Sequence, residues 1–387
     1  MWCVFPWVAS VVMQTGAPLP VVQPRDGLPN VFARLRQGRP TTIVYFGGSI
    51  TAGGGASKPE ETSYRGLVGR WFADTFPNVK MTNVNAAIGG TGSDLGAFRA
   101  ARDVLAHKPD LVFVEYAVND GGAPEAQILR SMEGIVRQIR RADPTTDICF
   151  VYTFVVGWLE DFRAGRPPAS VRADEIVARR YGIPSVNVAV PAAARLIDGT
   201  MKADEFAKDG VHPTDAGYRI YADAIIGFLD AQRAASAKGM RHRLGPPLRP
   251  DCLEGARMLG PDEMGAIGPG WRVETSDPTG SFPKLLVADT PGAEQSVRFA
   301  GPILAMFYVL GPDTGRFDFR VDGGDWQTVD PFDQWAKEWP RAHYRLVADG
   351  LADGPHVVTF RIRADRNPQS KGTVTRIGYL CVNPRAR

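Results

Sequence analysis

Ser49, Gly90, Asn119, Asp209 and His212 are scattered over more than 160 positions, yet together they have the types that acyl transfer through a serine requires. Ser49 lies in Gly47-Gly48-Ser49-Ile50-Thr51, where two glycines remove Cβ atoms and leave the hydroxyl and N–H open to an incoming group. His212 lies in Asp209-Gly210-Val211-His212-Pro213. Of the five histidines, only His212 and His356 have a carboxylate three residues before them, and His356 opens a strand pattern late in the chain. In such a set the imidazole takes the hydroxyl proton, and the carboxylate fixes the tautomer and stabilises the imidazolium. The tetrahedral intermediate needs donors, each worth about 3 to 4 kcal/mol of barrier. The N–H groups of Ser49 and Gly90 and the amide of Asn119 are the candidates, with Gly89 as second choice in the glycine pair. Glu115 and Asp120 read as ties between loops.

Positioning these residues falls to strands and helices that alternate from about residue 21 to 230, the signature of an α/β layer fold. Strand patterns at 42–46, 79–87 and 111–116 each finish at a small polar cluster, at Ser49, Gly90 and Asn119 respectively. If the strands are parallel, those ends share one rim, where open α/β sheets bind ligands. Further strands are expected at 148–154 and 185–190, with an irregular segment, 158–168, entering from the same rim. Ser63, Pro124 and Thr214 mark helix starts, and Pro213 keeps His212 in a loop. Residues 236–250 read as a stiff, solvated Pro-rich linker containing Arg241-His242-Arg243. Beyond it, short strands broken by turns predict an all-β, jelly-roll-like sandwich. The run 330–344 is too irregular for a strand. The expected division is 1–20, 21–235, 236–250 and 251–387.

Four blocks in this order resemble the SGNH (GDSL-like) hydrolase superfamily: Ser49 in its glycine-flanked block, Gly90 in Asn85-Ala86-Ala87-Ile88-Gly89-Gly90, Asn119 in Ala117-Val118-Asn119-Asp120, and His212 in Asp209-Gly210-Val211-His212-Pro213. The resemblance covers about residues 40–229. It implies a flavodoxin-like three-layer α/β/α domain with a parallel sheet, a serine esterase mechanism with neither metal nor cofactor, and a triad completed by Asp209. Gly48 stands where the family's name has aspartate, and Ala117 where a glycine is usual. The appended β domain and analogy within the superfamily point to a small acyl group, acetyl, removed from a carbohydrate. A lipid or aryl esterase or thioesterase is the alternative within the superfamily, and a carbohydrate-binding protein with an inactive hydrolase domain is the alternative of another class. Trp158 and Arg163 in the irregular segment, with Trp335 beyond the linker, are the candidates to touch substrate.

Composition narrows the partners. A net charge of +3, from 45 basic and 42 acidic residues, gives no electrostatic reason to expect nucleic acid. No G-K-[ST] or spaced G-x-G-x-x-G accompanies the glycines at 47–55, which argues against a nucleotide loop, and no G-x-S-x-G elbow is present. The four cysteines include no C-x-x-C pair and imply no metal site. Cys149 reads as a buried hydrophobe; no disulfide framework is indicated, and whether Cys252 and Cys381, which bracket the second domain, pair in an oxidising compartment stays open. Residues 1–13 are apolar but lack preceding basic residues and are too short to span a bilayer, which leaves a signal-like segment or a packed arm. Secreted, periplasmic and cytoplasmic locations, and the oligomeric state, stay open.

Overall fold

The β-branched and aromatic run after residue 40 forms a strand because helices cover both of its faces. The computed structural model describes residues 19–235 and 238–385, so the expected amino-terminal arm lies almost wholly outside the described residues. Six strands make the first sheet: Val22–Gln23 (β1), Thr41–Gly47 (β2), Met81–Asn85 (β3), Leu111–Glu115 (β4), Asp147–Val151 (β5) and Ser185–Val186 (β6). Their order is β1-β6-β5-β4-β2-β3. The five from β2 to β6 are parallel, and β1 adds an unforeseen antiparallel edge through Val22 opposite Val186. The chain leaves β2 for β3 on one side and returns to β4 on the other, so the topological switch point lies between β2 and β4. Ser49 and Asn119 follow those two strands.

Alternate strand residues feed two cores. Val44, Phe46, Val112, Val114 and Phe150 pack with the helices Ser93–Asp103, Glu125–Ala142 and Ala169–Arg180. Ile43, Tyr45, Phe113 and Val151 pack with Pro29–Arg36, Tyr64–Thr75, Ala189–Ile197 and Asp215–Ala234. Ser63 and Thr214 cap their helices as their sequence positions suggest, accepting from the N–H of Gly66 and Gly217.

Several boundaries differ from expectation. The strand sought at 185–190 ends at Val186, because Ala189–Ile197, rich in alanine, goes helical. The strand sought at 148–154 ends at Val151, and the helical turn Val156–Trp158 leads into the 158–168 segment, which contains the helix Leu159–Arg163. The linker is not solvated throughout. His242 is 6% exposed with Nε2 2.8 Å from Asp147, Glu133 accepts from the N–H of Leu248 at 2.6 Å, and Arg137 donates to the Gly245 carbonyl at 2.9 Å. Buried charged side chains on the α/β layer need partners, and the strap supplies them.

Ten strands follow: Arg257–Leu259 (β7), Trp271–Glu274 (β8), Leu285–Ala288 (β9), Glu294–Ala300 (β10), Ile303–Leu310 (β11), Phe317–Val321 (β12), Gln327–Val329 (β13), Arg341–Asp349 (β14), Pro355–Ile362 (β15) and Thr375–Val382 (β16). One sheet runs β10-β15-β12-β13; the other runs β14-β11-β16-β9-β8, with β7 also on β16. All pairings are antiparallel, and the two sheets enclose a core of Leu304, Met306, Tyr308, Phe317, Val358 and Phe360. β11 is buried on both faces. Its Ala305, Phe307 and Val309 join the core of the α/β layer instead, which makes the domain junction continuous apolar packing. The 330–344 run corrects to include the start of β14, whose exchange with β11 pairs Tyr344 with Phe307. Of the four tryptophans beyond the strap, Trp271, Trp326, Trp335 and Trp339, only Trp271 is buried; Trp335 and Trp339 are 54% and 53% exposed. The Arg320 and Arg361 guanidiniums both lie over the Trp326 ring, 4.4 and 4.1 Å from its centre. Cys252 and Cys381 are buried free thiols.

Candidate active site

At the end of β2, Gly48 turns the chain and Ser49 opens the one-turn helix Ser49–Ala52. The turn is clamped from several directions. Tyr218 donates its hydroxyl to the carbonyls of Ile50 and Gly54 at 2.9 and 2.7 Å. Beneath it, the buried Glu115 carboxylate accepts from the hydroxyls of Thr51 and Thr153 at 2.9 and 2.8 Å. Burial raises the Glu115 pKa, while those hydroxyls and the N–H groups of Gly48 and Thr51 favour its charge. This carboxylate thus stitches the ends of β2, β4 and β5 together, the loop tie that its sequence position suggests.

His212 approaches from the entrance of the helix Asp215–Ala234. Its Nε2 lies 2.8 Å from the Ser49 hydroxyl oxygen, and its Nδ1 lies 2.6 Å from Asp209 Oδ2. The second Asp209 oxygen accepts from the N–H of Val211 and His212 at 2.9 and 2.8 Å. Burial works against the Asp209 charge, yet hydrogen bonds from the imidazole and the two N–H groups outweigh it and bring the carboxyl down to about 2. The close approach explains the glycine run after the serine. A Cβ on Gly54 would stand 2.8 Å from His212 Cδ2, and one on Gly55, whose φ is +83°, 2.6 Å from the Pro213 carbonyl.

Asn119 comes from the loop after β4. A Cβ on Gly48 would fall 2.0 Å from its Oδ1, so this amide lies directly against the serine turn. The glycine pair after β3 lies on the other side. Gly89 faces Ser49, with a virtual Cβ 3.5 Å from the serine Cβ, and Gly90 takes the left-handed φ of +71° that turns the loop. Asp120 accepts from the Ser93 N–H at 2.9 Å and ties this loop to that of Asn119. Three strand ends and the His212 loop therefore meet at one place.

The expected contact residues are distributed differently. Trp158 is half-buried, its ring 3.2 Å from where a Gly121 Cβ would lie, and the neighbouring Val156 N–H donates to the Gly210 carbonyl at 2.8 Å, so this turn borders the His212 loop. Arg163 is exposed and pairs with Glu160 at 2.9 Å. Trp335 stands on the helical turn Gln334–Lys337 of the β domain. Past Gly89, a cavity of about 570 Å³ runs between residues 85–89 and the β domain's Gly280, Ser281, Pro283 and Tyr379. Arg99 had no place in the sequence reading. It is wholly buried in the helix Ser93–Asp103, and the available signal was a charge four residues after the buried Leu95, on the apolar face. Among the described residues no group of three or more His, Cys, Asp or Glu is arranged to hold a metal ion, and no helix is long and apolar enough to cross a membrane.

Residues 45–220 match the model of the GDSL-like Lipase/Acylhydrolase family. No curated protein matches the chain in sequence. Among solved structures, a two-domain esterase active on acetylated mannans, co-crystallised with mannopentaose, is 24% identical with a TM-score of 0.80, over 92% of this chain and 94% of that one. A second structure of a two-domain esterase active on acetylated mannans is 23% identical with a TM-score of 0.79, over 92% of this chain and 95% of that one. The likeness covers both domains and shows a shared two-domain fold.

Proposed function

From the premise that residues 45–220 form a domain of the GDSL-like lipase/acylhydrolase family, and that the chain is a carboxylic ester hydrolase, we propose that it removes acetyl groups from a carbohydrate. Ser49 is the nucleophile, His212 the general base and then acid, and Asp209 the residue that orients the ring. The observation that carries this reading is the 2.8 Å contact between the Ser49 oxygen and His212 Nε2, with Nδ1 already engaged by Asp209.

Ser49 Oγ attacks the acetyl carbonyl while His212 Nε2 takes its proton, and the carbonyl oxygen becomes an oxyanion facing the N–H groups of Ser49 and Gly90 and the Asn119 amide. Collapse breaks the bond to the sugar oxygen, which receives the proton from His212. Water then attacks the acetyl-serine with His212 again as base, releasing acetate. The carbohydrate part is supported by the likeness across both domains to an esterase active on acetylated mannans, and by the polar cavity that extends from Gly89 to the β domain. Trp158 is proposed to border the bound sugar, with Arg163 and Trp335 as outer contacts.

The test is hydrolysis of 4-nitrophenyl acetate and of acetylated mannan oligosaccharides. Ser49→Ala is expected to lower kcat by about 10³-fold or more with the fold retained. Turnover that survives in this variant sinks the serine mechanism. Preference for octanoyl over acetyl esters, with acetylated oligosaccharides untouched, sinks the carbohydrate reading alone.

A further inference from the structure

The Arg99 side chain is 0% exposed, and its guanidinium holds one group in each of the three segments that carry the proposed oxyanion donors. Nη2 donates to the Gly47 carbonyl at 3.1 Å, two residues before Ser49. Nη1 donates to the Ala86 carbonyl at 2.5 Å, four residues before Gly90. Nη2 also donates to the Tyr116 hydroxyl at 2.7 Å, three residues before Asn119. The group lies 4.3 Å from the centre of the Phe46 ring, and Asp103 accepts from Nη1 at 2.8 Å.

A buried guanidinium is costly to desolvate and needs matched partners. A planar fork of donors at fixed angles can hold three strand ends in one register, which a flexible ammonium or an apolar side chain cannot. The neighbourhood is built around it. Tyr116 fits beneath the helix only because residue 96 is glycine, where a Cβ would stand 2.8 Å from the Tyr116 hydroxyl.

We propose that Arg99 is a positioning residue that sets the geometry of the oxyanion hole by gathering the ends of β2, β3 and β4 on one side chain. It touches no substrate, and its effect is exerted where negative charge develops, so it belongs to kcat and not to ground-state binding. The proposal rests on Ser49, Gly90 and Asn119 acting as described above.

Arg99→Lys keeps the charge and loses the fork, whereas Tyr116→Phe keeps the volume and removes one of the three ties. Arg99→Lys is expected to lower kcat for 4-nitrophenyl acetate about 10- to 100-fold with KM within about threefold, and to slow inactivation by a fluorophosphonate, which forms a tetrahedral adduct, by a similar factor. Tyr116→Phe is expected to lower kcat about threefold to tenfold, and the double variant to be no worse than Arg99→Lys, because the tie is already lost. If Arg99→Lys does not fold, Tyr116→Phe decides alone, and wild-type kcat and inactivation rate in that variant overturn the proposal. Additive losses in a folded double variant, or losses confined to KM, also overturn it. Ser49→Ala separates the two readings. If Ser49→Ala still turns over, the nucleophile assignment has failed; if it is dead while folded Arg99→Lys is fully active, only the Arg99 role has failed.

Discussion

Asp209 grips His212 with both carboxylate oxygens, one on the ring Nδ1 at 2.6 Å and one on the backbone N–H at 2.8 Å. In the proposed mechanism this contact holds the ring in the tautomer that leaves Nε2 free to take a proton from Ser49.

Replacing that carboxylate by an amide offers a donor where the ring also donates, which turns the imidazole to the unproductive tautomer. Asp209→Asn is expected to lower kcat by about 10²- to 10⁴-fold with little change in KM. Steady-state kinetics on 4-nitrophenyl acetate check this, and a variant within threefold of wild type would count against the orienting role.

The acid limb of the pH profile follows from the same contact. Asp209 has its carboxyl brought down to about 2 and stays ionised throughout the working range. Loss of the Asp209 charge should therefore contribute no fall in activity above about pH 4. A log(kcat/KM) plot with slope two between about pH 4 and 7 that falls to slope one in Asp209→Asn would contradict an Asp209 already ionised there.

Gly48 has φ −96°, which alanine adopts freely, so only space forbids a side chain there. The added Cβ meets Asn119 Oδ1 at 2.0 Å and must push the amide away from the serine turn. Gly48→Ala is expected to lose roughly 10²-fold in kcat, the effect of one displaced oxyanion donor. Circular dichroism and melting temperature should stay close to wild type.

Asp120 is 3% exposed, one of its oxygens has no partner among the described residues, and burial raises its carboxyl to about 7 from 3.8. The folded protein thus holds a proton that the unfolded chain releases above about 4. Its stability contribution is full below pH 3.8 and is lost as pH rises through 7, at a cost on the order of 4 kcal/mol. Wild type should lose melting temperature from about pH 4 to pH 7 more steeply than Asp120→Asn, and equal slopes would refute this assignment.

Gly134, in the helix Glu125–Ala142, would place a Cβ 2.8 Å from Leu253, which enters the second domain at 1% exposure. Gly134→Val should cost about 1 to 3 kcal/mol by overpacking this seam. Calorimetry should show the melt broadening or splitting as the β domain loosens.

Much of the site was legible because its residues stand where strands end and helices begin. Apolar runs flanked by glycine or proline located β2 and β4, and caps located the helices that follow Ser63 and Thr214. The short edge was not legible. β1 is two residues long and is a strand only because β6 completes its hydrogen bonds. The Pro-rich strap looked solvated because no local pattern announces that Glu133, Arg137 and Asp147 wait for its groups.

The sequence by itself determined the chemistry on offer, since a serine between a strand and glycines, an asparagine after another strand, and an aspartate three residues before a histidine are facts of residue type and spacing. Only the tertiary structure decided that they meet, because the order β3-β2-β4 is set by long-range pairing and puts the ends of three strands beside one another. It also decided the supporting set. Arg99 and Glu115 reach across strands that are neighbours in space and distant in the chain, and a buried charge declares its partners only once those strands are paired.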